Sequence, residues 1–412
     1  MADSTSRLRL KWSTLIAAAL GLSACAQHPA FIGPAATQVE ISSPVALESA
    51  AMQNVSGFDV YVDQQTVHAV FTAVSGDSKR PLIGYLHSED GGGHWYAAQE
   101  IGKQFDLPVE SKAGNDIQIA ASGRHLMVMW QTTGALPGMG PLVTIYSDDG
   151  GLRWQRGTNP TVSDVDQSHA DLAVDRDGVF HAVWLDDRDE NGYQGLRYAR
   201  SQDTGKSWNA QHTLDDSSCS CCWNRISISG SGQINVLYRD MEPRDMALVQ
   251  SNDGGQSWQR AGTVGEFNWK FDGCPHNGGG LTQANEGVLH AVVWTGAENK
   301  VGLYHTQSAN GGVSWSLSQP IAANTGAFHS DIAAVDKNHV AIIWDAMGAE
   351  GSAVLFADSA DNGRSWAAPR GLSGVGVSAE FPRIVAVDSG WLAMWTEQKS
   401  RTSRLWRSAI IK

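Results

Sequence analysis

Short runs of alternating apolar and polar residues return along this chain at a near-constant interval. Phe58-Asp59-Val60, Asp116-Ile117-Gln118-Ile119, Asp171-Leu172-Ala173-Val174, Arg225-Ile226-Ser227-Ile228, Asp331-Ile332-Ala333-Ala334 and Arg383-Ile384-Val385-Ala386 share one pattern, and the Gly-rich stretch Asn277 to Leu281 fills the fifth place. A second apolar run follows each and ends near an aromatic: Phe71, Trp130, Trp184, Tyr238, Trp294, Trp344 and Trp395. Period-two alternation between turn signals predicts half-buried β-strands. Seven such starts predict seven repeated units.

Between the runs lies a turn motif, SxDxGxxW. It reads Ser88-Asp90-Gly92-Trp95, Ser147-Asp149-Gly151-Trp154, Ser201-Asp203-Gly205-Trp208, Ser251-Asp253-Gly255-Trp258, Ser308-Asn310-Gly312-Trp315 with Asn in place of Asp, and Ser359-Asp361-Gly363-Trp366. Asp caps its own turn by accepting backbone N–H bonds, Gly supplies a positive φ, and Trp plugs the hairpin with apolar surface. This is turn chemistry and implies no catalysis. The motifs resemble the Asp-box (BNR) repeats of the sialidase superfamily. That resemblance implies a β-propeller, with each box at the hairpin joining the third and fourth strands of a blade. Asp boxes also occur in propellers that hydrolyse nothing, so the likeness fixes architecture and leaves function open.

The expected fold is all-β: a seven-bladed β-propeller of four-stranded blades, with a six-bladed sialidase-type ring as the alternative. The seventh unit ends in Arg404 to Lys412, a third strand with no box and no fourth strand after it. Gln38-Val39-Glu40-Ile41, ahead of the first blade, resembles the segments that follow the boxes and is expected to complete the last blade. Closure of this kind removes exposed strand edges. Residues 37–412 are therefore expected to form one propeller domain.

The N-terminus has the pattern of an export signal. Arg7, Arg9 and Lys11 precede the apolar run Leu15 to Ala24, too short to span a bilayer. It ends in Leu22-Ser23-Ala24-Cys25, which resembles a bacterial lipobox; that implies a signal at residues 1–24, lipidation at Cys25 and a tether at residues 25–36. An uncleaved anchor or an ordinary signal are the alternatives. Ala26, in place of Asp, points to the periplasmic face of an outer membrane. Removal of the signal changes 30 Lys plus Arg and 43 Asp plus Glu to 27 and 42, a net charge of −15. So acidic a body, without a basic run, excludes nucleic acid as a partner. A monomer is expected.

In a four-stranded blade the boxes mark one face. The segments entering each first strand, and the loops from second to third strand, gather on the other around the central channel, where pockets form. The remaining cysteines fall there: Cys219-Ser220-Cys221-Cys222 before the fourth first strand, and Cys274-Pro275-His276 before the fifth. Equivalent positions in adjacent blades are neighbours in space, so the four sulfurs are expected together at the channel mouth. Three readings stay open. Structural disulfides suit an oxidising compartment, and a bridge from Cys221 or Cys222 to Cys274 would contribute roughly 4 kcal/mol in the chain-entropy model. A thiolate metal site would take copper as Cu(I), or zinc, with His276, His169 or His329 in reach. The third is a reactive dithiol.

The CxCC, followed by Gly273-Cys274-Pro275-His276-Asn277-Gly278, with Tyr238-Arg239-Asp240 and Arg244-Asp245 between them, resembles a branch of exported bacterial proteins commonly labelled exo-α-sialidase. The label implies a glycoside hydrolase acting on acidic sugars. Sialidases carry an arginine triad, an Arg-Ile-Pro motif, a Tyr nucleophile with its Glu, and an Asp acid/base. No Arg-Ile-Pro occurs here. Arg225, Arg383, Arg239 and Arg244 are the guanidiniums that a carboxylate clamp would use, with Asp240 beside them. The bland reading is that they brace loops and pair with acids of adjoining blades. Asp186, Asp187, Arg188 and Asp189 form another polar loop on this face. His68, His181 and His290 lie within second strands and are expected to pack there with one nitrogen satisfied. The functional expectation is a binding protein for a metal ion, a small ligand or an envelope partner at the Cys-lined mouth, with glycoside hydrolysis as the alternative.

Overall fold

The computed structural model describes residues 39–412 apart from 48, 50, 78, 135–137, 162–165, 191–192, 285–286, 350, 375 and 401–402, and only the backbone of 187–190 and 193. The export signal, Cys25 and the tether lie outside the described residues, as do the side chains of Asp187, Arg188 and Asp189. Seven antiparallel four-stranded sheets make seven blades. Their first strands are Met52–Asp63, Gln118–Ser122, Gln167–Val174, Arg225–Ile228, Gly279–Gln283, Ala327–Ala334 and Ser378–Val387. These touch one another in order round the ring, and the seventh meets the first.

The hydrophobic core is divided. Seven apolar clusters lie between facing sheets, one for each pair of neighbouring blades. In the first, Trp406 of blade 7 packs its ring 5.2 Å from Phe58 and 5.0 Å from Phe71 of blade 1. Both faces of a blade are thus covered, which changes the sequence expectation for the middle strands. Leu142–Ser147, Ile234–Arg239 and Met246–Ser251 are buried at every position rather than at alternate ones. A strand sandwiched between two sheets loses its solvent face, so even its polar residues must find partners inside. His68 bonds Tyr85 Oη at 2.8 Å, His181 bonds Tyr198 Oη at 2.6 Å, and His290 meets His305 at 3.0 Å.

Each box sits between the third and fourth strands of its blade. Ser88 Oγ accepts the Gly92 N–H at 2.9 Å and donates to Asp90 Oδ1 at 2.8 Å, while Asp90 Oδ1 accepts the His94 N–H at 2.7 Å. Asn310 repeats this geometry with its amide oxygen, at 2.9 Å from both Ser308 Oγ and the Ser314 N–H. The same bonds recur at Asp149, Asp203, Asp253 and Asp361. Several box indoles also reach the preceding blade. Trp154 packs edge-on to Tyr85 at 5.5 Å, Trp258 to Tyr198 at 4.6 Å and Trp366 to His305 at 4.9 Å. The boxes are therefore staples between blades.

The last blade is completed from the other end of the chain. Val45–Ala46 pairs antiparallel with Ser403–Ile411 through Val45↔Ser408 and Ala46↔Arg407. The flanking backbone extends the seam: Glu40 and Lys412 exchange both N–H···O bonds, at 2.9 and 2.8 Å, and Leu47 N–H donates to Trp406 O at 3.2 Å. The pairing segment thus runs on past Ile41 to Leu47, and only two of its residues form regular strand. Pro44 interrupts it because proline has no N–H to give a ladder.

Candidate functional site

The inner strands line the channel with charge. Asp59, Asp171 and Asp331 are buried there, beside the half-buried Asp116, Arg225 and Arg383. Each carboxylate ties its blade to a neighbour: Asp59 accepts the Ile119 N–H at 3.0 Å, Asp171 the Ile226 N–H at 2.7 Å and Asp331 the Ile384 N–H at 3.2 Å. Asp116 accepts the Phe58 N–H at 3.2 Å. Arg225 lies 3.8 Å from Asp171 and 3.5 Å from Asp331, and Arg383 lies 3.2 Å from Asp116. Burial pushes Asp59 up to about 7 against the pull of Arg383, and it raises Asp116 and Asp171 as well.

Above this ring opens a cavity of about 530 Å³ whose wall includes Met139, His169, Cys221, Trp223, Cys274 and His329. One position recurs round it, two residues before the channel residue of the inner strand. Gly114, His169, Trp223, His329 and Phe381 precede Asp116, Asp171, Arg225, Asp331 and Arg383 in this way, and His276 fills the place in blade 5. His169, His276, His329 and Phe381 have positive φ, between 45° and 54°. His169, His329 and Phe381 sit where the strand register slips against its neighbour. A bulge with left-handed backbone re-aims its side chain, and such strain gathers at functional sites. Here it turns imidazole and phenyl rings onto the mouth, with His329 stacked 4.0 Å from Phe381 and tilted against Trp223 at 5.6 Å. Burial lowers His169 to about 4, so its ring is neutral at pH 7. Trp223 and Phe381 escape a reading by residue type, although their spacing from Arg225 and Arg383 is visible in the sequence.

Two of the four sulfurs, those of Cys221 and Cys274, line this cavity. Cys219, Cys221 and Cys222 are buried, with Cys219 Sγ at 3.6 Å from Cys221 Sγ and 3.3 Å from Cys222 Sγ. Cys221 belongs also to a second group, with the exposed Cys274 and His276. Within each group the three donor atoms lie within 4.8 Å of one another. All four described cysteines are free thiols. The bridge from Cys221 or Cys222 to Cys274, one of the sequence expectations, is absent from this structure: the described cysteines are unpaired, and Cys221 Sγ lies within 4.8 Å of Cys274 Sγ. Hydrogen bonds from Cys221 and Cys222, with Arg244 beside it, hold Cys219 well below the usual thiol range. Burial raises Cys222 to about 12.

Two arginines assemble these loops. Arg239 spends its guanidinium on three backbone carbonyls, Asn277 O at 2.9 Å, Arg244 O at 2.5 Å and Trp294 O at 2.9 Å, while its own carbonyl takes the Cys219 N–H at 2.9 Å. It thereby ties the CxCC loop of blade 4 to the Cys274 loop of blade 5. Arg244 Nη1 donates to Cys219 Sγ at 3.0 Å. Asp240 pairs with Arg260, and Asp245 accepts the Asn268 N–H at 2.6 Å and the Trp269 N–H at 3.2 Å. Gly278 completes the fit, since a Cβ there would stand 2.3 Å from the Trp223 indole. The four sequence-predicted arginines thus do not converge on the cavity as a clamp: two lie in the channel and two in the bracing. Asp186 is buried near the Trp184 indole. Two rim clefts, of about 490 and 730 Å³, rival the mouth in size. Neither contains a His/Cys cluster, so chemistry rather than volume selects the mouth.

The BNR repeat-like domain family matches residues 41–272, more than half of the sequence. The chain belongs to that family. No curated protein matches it in sequence. Among solved structures, this BNR repeat-like propeller is similar to a polysaccharide lyase of family PL25, an ulvan lyase, at TM-score 0.58 and 10% identity over 89% of this chain and 93% of the other. It is similar also to YCF48 bound to D1 peptide, at TM-score 0.52 and 14% identity over 91% and 96%. The NanB sialidase of Streptococcus pneumoniae aligns at TM-score 0.44 and 12% identity over 88% and 69%. Identities this low show the propeller fold alone.

Proposed function

We propose that this BNR repeat-like propeller is an extracytoplasmic binding protein that holds a soft metal ion, Cu(I) ahead of zinc, at its channel mouth. The observation that carries this reading is the convergence of Cys219, Cys221 and Cys222 from blade 4 with Cys274 and His276 from blade 5 into two overlapping donor groups. Thiolates select Cu(I), zinc or iron–sulfur clusters. Structural zinc takes four ligands in a tetrahedron, whereas among the described residues the mutually close sets here number three donors. Three soft donors suit Cu(I), and the Arg244 guanidinium offsets part of the charge that three thiolates would concentrate.

The alternative of glycoside hydrolysis has little to draw on. A retaining or inverting glycosidase needs two carboxyls flanking its pocket, and a sialidase a Tyr nucleophile. The described lining of the mouth contains no Asp, Glu or Tyr, and the candidate arginines are engaged elsewhere. The placement of the protein as a lipoprotein on the periplasmic face of the outer membrane, where an envelope partner would meet the mouth, rests on the N-terminal sequence.

The test is an anaerobic titration of the reduced full chain with Cu(I), and separately with zinc, against a chromogenic chelator. One tightly held Cu(I) per chain, lost in Cys221→Ser, is expected. Retention of neither metal above the level of a variant lacking all four thiols would end the reading.

A further inference from the structure

The two donor groups differ in access, and they share one atom. Cys219, Cys221 and Cys222 are buried, while Cys274 and His276 are exposed at the rim. Cys221 Sγ stands within 4.8 Å of the donors of both groups. An ion bound by Cys221, Cys274 and His276 is therefore already held by one ligand of the inner set, with solvent on its outer side. Its next two ligands, Cys219 and Cys222, lie on the protein side of the same sulfur. The two loops keep a fixed relation because Arg239 bonds both.

Resting on the metal-binding reading above, we infer that the mouth is a two-station site: Cys274 and His276 capture a Cu(I) ion with Cys221, and the ion then passes to Cys219 and Cys222 while Cys221 stays bound throughout. The step is a ligand exchange with no change of oxidation state. Bonds from the metal to Cys274 sulfur and His276 nitrogen break, and bonds to Cys219 and Cys222 sulfur form. Bound sulfur is deprotonated, so Cys274 regains a proton on release, while the inner thiols give theirs up to it and to solvent. Only the first ion–protein bonds must form at the surface, and the final site exchanges its ligands one at a time. That route avoids stripping a cation bare before it enters a buried pocket, which would be costly.

The experiment uses the reduced full chain and the Cu(I) complex of a chromogenic chelator as donor. Two readouts are taken: X-ray absorption at one equivalent of Cu(I), and stopped-flow uptake beside equilibrium competition. At one equivalent the wild type is expected to show sulfur ligands without nitrogen. The Cys219→Ser/Cys222→Ser variant should instead hold Cu(I) with both sulfur and nitrogen in its shell. Cys274→Ala/His276→Ala should take up Cu(I) about tenfold more slowly or worse, while its equilibrium affinity moves by no more than about threefold. Nitrogen in the wild-type shell at one equivalent overturns the inference, as does an equal loss of rate and affinity in Cys274→Ala/His276→Ala; either leaves metal binding standing. Absence of Cu(I) binding by the wild type overturns the inference together with the reading beneath it.

Discussion

Arg244 Nη1 lies 3.0 Å from Cys219 Sγ, so a guanidinium from the loop between two strands supports a buried sulfur 25 residues earlier in the chain. Cys219 Sγ is also within reach of two other thiols, at 3.3 and 3.6 Å. Substituting Arg244 by Ala removes the positive partner and leaves a buried thiolate unsupported, at a cost of roughly 1–3 kcal/mol in stability. Outer groups that tune a metal ligand typically change affinity by about 10- to 100-fold. Arg244→Ala is expected to fall in that range for Cu(I) in the chelator competition, and Arg244→Lys to recover part of the loss. Unaltered affinity in Arg244→Ala would remove the arginine from the site.

The blade seam supplies a second prediction. Deleting residues 40–47 takes away the strand that pairs with Ser403–Ile411 and the side chains of Ile41 and Leu47, which pack into the flanking clusters. Loss of one buried leucine alone costs about 2–5 kcal/mol. Thermal unfolding of the deletion variant should begin well below that of the intact chain. An unchanged midpoint would mean that the ring closes without this segment.

Among the box glycines, Gly255 combines two constraints. Its φ is 82°, and a Cβ would fall 1.8 Å from Tyr198 Oη of the preceding blade. Gly255→Ala is expected to destabilise by about 2–4 kcal/mol, from left-handed strain and overpacking together. Gly230, with open space around it and no positive φ, is the control: Gly230→Ala should be neutral or slightly stabilising. Equal denaturant midpoints for the two variants would refute the staple role of the box.

The channel carboxylates predict a pH dependence. The folded-state value of Asp59 is raised from 3.8 to about 7, so its contribution is fully present below pH 4 and is lost as pH rises through 7. His68, His169 and His290 are lowered from 6.5 to about 4 by burial, and stability from this source falls as pH drops from 6.5 towards 4. The two trends oppose each other in one window. Asp59→Asn removes only the first, so relative to the wild type its stability should improve from pH 4 to 7, by an amount on the order of a few kcal/mol. Parallel stability curves for the two proteins would show that Asp59 titrates alike in the folded and unfolded chain.

The anchoring proposal stands on Leu22-Ser23-Ala24-Cys25. Cys25→Ser should abolish incorporation of labelled lipid and leave either precursor or a soluble form. A single acyl chain binds a membrane weakly, and several hold it firmly. A wild type that takes up no lipid label, and a variant equally retained in the membrane, would dispose of it.

Much of this architecture is legible in the sequence because it is repeated. A box at Ser88 or Ser359 writes its own hydrogen bonds within a few residues, and each first strand announces a blade. The proximity of Cys221 to Cys274 follows from that same periodicity, since equivalent positions in adjacent blades meet. What the sequence hides is what depends on neighbours. The burial of both faces of Ile234–Arg239 arises only once blades stack, and no alternation records it. The inward turn of His169, His329 and Phe381 comes from bulges that exist only when two strands pair out of step. Arg239 and Arg244 look like ligands for a substrate carboxylate until their donors are seen to end on Asn277, Trp294 and Cys219.

The doubly bonded pair of Glu40 and Lys412 makes the described chain a circle with a nick in it. A short linker across that nick would join the two ends without moving a blade, and new termini could then be opened in any loop between blades. Such circular permutants should keep the fold wherever the cut falls on exposed backbone. A cut between blades 4 and 5 is the exception: it would part the CxCC loop from Cys274 along the chain, and the sulfurs would then be held together by Arg239 and packing alone.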